Sequence, residues 1–490
     1  MPNIISKLGE LNPQLFREIK GRLKVWTFLL AAFLSFLAQL IFFPNFIYSQ
    51  SPDIYNWLSA MVIIAILVGG TYTLMNDLAT EERRGTLNFI RLSPQSSQSI
   101  FVGKMLGVPI NIYITILFVI PLHLLFGLKL DVPLHQILIS YIILIAASIF
   151  YYSGAILFSL VGSWLGGVQT WLGSGFMLIF LLFFIPVLMH PSTSDMPFLI
   201  SLINPQYYMF MPESGTSFYL KSFVLTAGFS LLVYSIGTYF IWQSIQRCYH
   251  DTNATMLSKK QSYLLTTTFT VITLGCANSP NKDSLFSLIF FNFVLFLYLI
   301  AALTPNYQIV IDWARYQHIY RVKHPGKQKL IKDLIWGEKS PAILAIAINA
   351  LIPLISISVF ISPLNNGWYK THAFIAVIFT FSLLLIYAAL AQIGLLIKNE
   401  QRLLRTNTMM AVLILLPMIL SAIFGRFLSI FSILGPLQIL SSSNVPLSAI
   451  FMLLGLVGHA CILGLLVFRI KGRLHKVGES ATKALLAENQ

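Results

Sequence analysis

The 490 residues are 57% hydrophobic and 10% charged. A soluble globular domain carries about a quarter charged residues, so this chain has no room for a sizeable soluble domain and belongs in a membrane. Alternation of apolar and polar residues at every second position is absent, which excludes a β-barrel and leaves an all-α polytopic transmembrane helical bundle. The net charge of +15 reflects the bias of Lys and Arg towards cytoplasmic loops, and no nucleic-acid partner is expected.

Residues 1–24 are too charged for the apolar core of a cleavable signal peptide. Asn12-Pro13 has the form of a helix start, with Asn as cap and Pro in the first turn. Leu15, Phe16, Ile19, Leu23 and Trp26 then recur at helical spacing, while Arg17, Lys20 and Lys24 fall elsewhere on the wheel. Two readings stay open: a helix lying in the membrane interface, or a plain basic flank of the first span.

Uncharged runs place spans near 25–47, 55–76, 105–127, 136–162, 171–189 and 222–246. Between the second and third lies Asp77 to Lys104, DLATEERRGTLNFIRLSPQSSQSIFVGK, a charged break that must meet water. The segment 190–220 holds several prolines and only short apolar runs, which predicts external re-entrant helices. The Thr-rich run 263–276 is short for a span. Beyond it come a span at 284–303, a polar stretch at 306–340 with seven Lys/Arg, and runs at 341–362, 372–397 and 407–425. A second external re-entrant segment is expected at 427–446, then a last span at 447–468 and a basic tail.

Counting charges decides the status of 263–276. With it spanning, only Lys129, Lys221, Lys282, Lys370 and Arg426 lie outside, and 27 of the 32 Lys/Arg lie on the cytoplasmic side. Without it the split is 15 inside to 17 outside. The positive-inside bias therefore predicts about twelve spans with both termini cytoplasmic. The halves match in layout, so the expected organisation is two six-span repeats, 1–250 and 251–470, with a cytoplasmic tail at 471–490. A short string recurs in the external segments, Ser201 to Pro205 against Ser432 to Pro436. A parallel repeat of this kind relates its halves by an axis along the membrane normal.

No phosphate-binding G-x-x-x-x-G-K-[ST] loop occurs, so ATP binding by this chain alone is not expected, and no metal-ligating or catalytic His/Cys/Asp cluster appears. Cys248, Cys276 and Cys461 are scattered, and neither a disulfide framework nor a zinc site follows. No Asp, Glu, Lys or Arg lies deep in a span, which weighs against a proton-driven transporter, an ion channel or an intramembrane enzyme. The polar span residues are His123, Asn292, Asn349, Gln392 and His459; interhelical glue is the ordinary role of such side chains, and substrate contact the alternative.

Glu81-Glu82-Arg83-Arg84-Gly85-Thr86-Leu87, then Pro94 and Gly103-Lys104, resembles the type-2 ABC exporter permeases. Their pattern is an acidic-basic run, Gly-Thr-Leu, a Leu/Ile-rich helix, a Pro, then Gly-Lys opening the third span. The Gly-Thr signature is absent from 306–340, where Trp336, Gly337, Glu338 and Lys339 hold the corresponding position. The resemblance implies a permease subunit, not itself an enzyme, in the plasma (inner) membrane. It implies separate ABC ATPase subunits that bind ATP and Mg, and docking through 77–104 and 306–340. On physical grounds Gly85 is suited to end the second span's helix in a left-handed cap, and Thr86 to cap the next. Leu87, Phe89, Ile90 and Leu92 supply apolar side chains for a groove. Charge-poor spans rich in Phe and Leu suggest a hydrophobic or amphiphilic cargo. The competing reading is a twelve-span secondary transporter not driven by ATP.

Overall fold

The computed structural model describes residues 12–48, 52–165, 167–189, 217–277, 280–323, 330–365, 367–396, 402–424, 435–436 and 447–488. Among these every regular element is helical. The chain divides into two compact units, Met1–His250 and Asp251–Gln490. Residues 190–216 and most of 425–446 lie outside the described residues, and with them the external re-entrant helices expected there.

In the first unit α1 (Pro13–Arg22) starts as Asn12-Pro13 predicts, with the Asn12 side chain accepting from Leu15 N at 3.0 Å. It meets α2 (Val25–Tyr48) at 72°. Next come α3 (Pro52–Ile64), a π-helical turn at Ala65–Gly69 and α4 (Gly70–Arg83). In the π turn the carbonyl of Ile66 accepts both from Gly70 N and from the Tyr152 hydroxyl, the latter at 2.8 Å. Gly70 makes room for that ring, since a Cβ there would sit 2.0 Å from the Tyr152 oxygen. The short α5 (Thr86–Arg91) and α6 (Ser97–Gly107) precede α7 (Ile110–Lys129), α8 (Leu134–Val161), α9 (Val168–Met189) and α10 (Ser217–His250).

The apolar core here comes from α3, the π turn, α7, α8 and α9, with Leu58, Ile63, Leu67, Phe126, Leu144 and Leu181 among its buried residues. His123 is built into it as glue. Its Nε2 lies 2.8 Å from Ser59 Oγ, its Nδ1 lies 2.7 Å from the Tyr141 hydroxyl, and Tyr55 stacks on its ring.

The second unit comprises α11 (Lys259–Gly275), α12 (Lys282–Leu303), α13 (Tyr307–Lys323), α14 (Leu330–Trp336), α15 (Ile343–Ile361), α16 (Gly367–Leu395), α17 (Arg402–Phe424) and α18 (Leu447–Glu488). Its core joins α12, α15 and α16 around Leu288, Phe296, Leu299, Ile346, Phe379 and Leu384. The 17-residue α11 buries a polar stripe, Ser262, Thr266, Thr270 and Thr273, at helical spacing. Asn349 of α15 fastens that stripe: its amide donates to Ser262 Oγ at 2.9 Å and its oxygen accepts from Thr266 Oγ1 at 2.8 Å. The hydroxyls of this helix are thus hidden against a neighbour.

Among the described residues seven helices are long and apolar enough to cross a membrane, or eight if α1 and α2 count as one broken span. This is compatible with an integral multi-pass membrane protein. Three helix pairings in each unit follow a similar order along the chain. In the first, α2 packs on α7, α4 on α8, and α8 on α10; in the second, α11 packs on α15, α12 on α16, and α16 on α18. Others differ: α4 packs on α9 in the first unit, and α13 on α18 in the second. Interior prolines correspond, Pro121 in α7 and Pro353 in α15.

Candidate interhelical site between the second and third spans

The charged run is more ordered than a solvated loop. Glu81, Glu82 and Arg83 continue α4, and the chain breaks at Arg84-Gly85. Gly85 adopts φ 71°, a left-handed conformation that costs a glycine little. Thr86 differs from expectation. It is the first residue of α5, not its cap, and its hydroxyl reaches back to the Glu81 carbonyl at 3.1 Å, closing α4. The orphaned carbonyl at the end of the long helix takes the hydroxyl that the short helix was expected to use.

On α5, Leu87 and Ile90 are buried while Phe89 is 79% exposed. Leu92, at its end, is 85% exposed. Arg83, Arg84 and Pro94 are exposed beside them. Arg91 lies 5.6 Å from the centre of the Tyr249 ring, which meets the buried Phe101 edge-on, so α5 is anchored at its C-terminal end.

Gly103-Lys104 does not open the third span. It sits on α6, which Pro109 separates from α7. Gly103 and Gly107 leave a groove that α1 fills: a Cβ on Gly103 would meet Leu15 N at 2.8 Å, and one on Gly107 would meet Glu18 Cβ at 2.5 Å. The face of α1 that docks buries the polar Gln14 and Glu18, and of the apolar stripe read from the sequence Leu15 reaches the groove, its Cδ1 3.4 Å from a Cβ on Gly107.

Lys104 is fully buried. Its ammonium lies 2.5 Å from Asp77 Oδ2, 2.8 Å from Glu81 Oε2 and 3.7 Å from Glu18 Oε1. Arg22 pairs with Asp77 and, at 3.2 Å, with Glu18. Arg17 pairs with Glu81 at 2.8 Å and Glu18 at 3.0 Å. Three cations and three carboxylates from α1, α4 and α6 therefore balance. The carboxylates lie within 4.8 Å of one another, a spacing that suits a metal ion, but Lys104, Arg17 and Arg22 together already supply their counter-charge.

Burial alone would raise the Glu18 carboxyl; Lys104, Arg17 and Arg22 outweigh it and hold the group below its ordinary 4.5. A carboxylate with a lowered folded-state value stabilises the docked α1 fully above 4.5, and the contribution is lost as pH falls through the lowered value. A spin-label pair at Gly21 and Gln98 is expected to give one distance at neutral pH and a broadened distribution only in acid below about 4.5.

The second unit holds α14 by other means. Lys259, 2% exposed, donates to Leu334 O at 2.7 Å, Ser340 Oγ at 2.6 Å and Pro341 O at 3.3 Å, so each ammonium proton has an acceptor. Burial lowers its ammonium to about 8, and the Asp333 charge pulls it partly back. The Tyr263 hydroxyl donates to Ile335 O at 2.8 Å, its ring meets Trp336 edge-on, and the Lys260 ammonium lies 5.8 Å from the Trp336 ring centre. Gly337 closes α14 with its N–H on Asp333 O at 2.7 Å, and Glu338 and Lys339 are exposed. Lys259→Met removes all three donors and leaves their acceptors buried; amide exchange across 330–336 is expected to quicken at least tenfold by mass spectrometry, at about 1–3 kcal/mol per unsatisfied group.

Of the other expected site residues, Gln392 reaches from α16 to the start of α15. With its amide oriented by the surrounding donors, its oxygen accepts from Ala342 N at 2.8 Å and Ile343 N at 3.0 Å, a side-chain cap for that helix. His459 shares a 2.8 Å bond with Ser382 Oγ, and Asn292 donates to Leu288 O of its own helix at 2.8 Å. These side chains and Asn349 are not gathered into one site.

Sequence reasoning missed Glu18, Arg17, Arg22 and Lys259. The available signal was Lys104 itself, set among Phe101, Val102, Met105 and Leu106, because a lysine inside an apolar helix demands counter-charges.

No protein-family model, no curated protein and no solved structure matches the chain.

Proposed function

We propose that the chain is the transmembrane permease subunit of an ATP-driven ABC exporter. The observation that carries this is the tip of α5. Phe89 and Leu92 stand 79% and 85% exposed between two spans, beside the exposed Arg83 and Arg84. Two large apolar side chains held in water on a braced helix suit a groove on a soluble partner, with the arginines steering its approach. The chain carries no phosphate loop, so the partner supplies the nucleotide chemistry: separate ABC ATPase subunits holding ATP and Mg.

In this reading the second loop docks through α14, where Ile331 and Trp336 are 53% and 47% exposed. The three similarly ordered helix pairings and the corresponding prolines support two six-span repeats and twelve spans, with α11 as the seventh. Both termini lie in the cytoplasm and the protein sits in the plasma (inner) membrane, as the Lys/Arg bias favours. The apolar spans suit a hydrophobic or amphiphilic cargo. The test is purification of the tagged chain from native membranes in mild detergent. An ABC ATPase recovered with it, with cargo movement requiring ATP, is the expected result; transport in vesicles free of any ATPase would favour the secondary-transporter reading.

A further inference from the structure

α18 runs unbroken from Leu447 to Glu488, so one rigid helix carries its apolar part directly into a basic one. Its two sides differ. Ile470 is buried and Leu474 half-buried, on the side along which α18 and α13 pack. The opposite side is open over three turns. Leu465 and Phe468 are 65% and 75% exposed, and Arg469, Gly472, Arg473 and Lys476 continue that face, all exposed. Positions 465, 469, 472, 473 and 476 share one side of a helix by its 3.6-residue period.

We propose that this face of α18 binds an anionic phospholipid, its acyl chains against Leu465 and Phe468 and its phosphate between Arg469, Arg473 and Lys476. The match is one of chemistry and of order along the helix. Apolar side chains come first, then guanidinium groups suited to bidentate phosphate contact, then an ammonium a further turn away. Arg469 to Lys476 spans roughly 10 Å at the helical rise, the depth of a headgroup layer rather than of a point contact. No described carboxylate pairs with Arg469, Arg473 or Lys476, so their charge is available to a ligand. Gly472, between the two arginines, presents no side chain to block close approach. The proposal is independent of the ATPase reading: a permease and a secondary transporter would bind the lipid alike.

The test uses the full chain in neutral detergent, titrated with phosphatidylglycerol or phosphatidylcholine and followed by native mass spectrometry. A high-affinity phosphatidylglycerol is expected, preferred over phosphatidylcholine by about a hundredfold for three cations at an anionic surface. The preference should shrink as salt is raised. Arg469→Gln/Arg473→Gln/Lys476→Gln should abolish that one binding event while other lipid adducts persist. Because removing charges at a span end can disturb insertion, the wild-type comparison of the two lipids stands as an independent arm. Equal retention of both lipids by the wild type, or an undiminished preference in the triple variant, overturns the proposal. So does displacement of the phosphatidylglycerol by millimolar inorganic phosphate, which would identify a free-phosphate site.

Discussion

Lys104→Met is expected to free α1 from α6 without unfolding the rest of the first unit. The variant leaves Glu18, Asp77 and Glu81 facing two arginines in place of three cations, with one negative charge uncompensated beside a buried site. Breaking a buried ion pair from one side costs about 3–5 kcal/mol. That corresponds to amide exchange in 13–22 more than a hundredfold faster where it proceeds through undocking. The core around Leu58, Ile63 and Phe126 lies on other helices and should keep its protection. A second substitution separates charge from packing. Lys104→Met/Asp77→Leu restores the balance of signs and should recover part of the protection, because a charge-free replacement of a buried pair is often neutral. If the single variant exchanges like the wild type, the ion cluster does not hold α1.

Phe89→Asp/Leu92→Asp is expected to abolish association with the ATPase while leaving the fold intact. Both side chains are largely exposed, so replacing them removes little internal packing. Their partners in a docked complex would lose two apolar anchors and gain two buried charges. Anchor residues of interfaces typically cost 2 kcal/mol or more each when truncated, and burying an unpaired charge adds to that. Loss of at least a thousandfold in affinity follows, read as absence of ATPase from the purified sample. Leu87→Asp is the instructive contrast. Leu87 is 4% exposed, so this variant should destabilise α5 itself and fail by misfolding.

The two loops are held by different physics. α5 has buried apolar side chains on one face and a cation over Tyr249, and α1 is locked beside its neighbours by ion pairs. α14 has no fully buried residue and hangs from hydrogen bonds donated by Lys259 and Tyr263. In both units a buried lysine ties the start of one apolar helix to the approach of another, yet Lys104 meets carboxylates and Lys259 meets two carbonyls and a hydroxyl.

Much of the architecture could be read from the residues, because its signals are local. The cap at Asn12-Pro13 follows from a side chain that accepts from a backbone N–H three residues on, and the left-handed Gly85 from the absence of a Cβ. The run 263–276 was read only as short and Thr-rich; that Ser262, Thr266, Thr270 and Thr273 form one buried stripe against Asn349 emerges from the packing. Long-range pairing is where reading stopped. Glu18 and Lys104 are separated by 86 positions, and no periodicity links them. Lys259 and Lys260 are adjacent and chemically identical; only the packing decides that the first is buried and the second lies over Trp336. Thr86 failed for a different reason, a local competition between two helix ends for one hydroxyl. The small-xxx-small pair Gly103 and Gly107 carried the docking groove in plain view, but its use depends on where α1 arrives.

The central claim is that the tip of α5 touches an ATPase. A photo-crosslinking amino acid placed at Phe89, with a second chain labelled at the buried Phe101 as control, tests it directly in native membranes. The account predicts an adduct from position 89 that contains an ABC ATPase and whose yield changes with ATP, and none from position 101. Crosslinking from position 89 only to lipid or to the chain itself, with an ATPase present in the membrane, would contradict it.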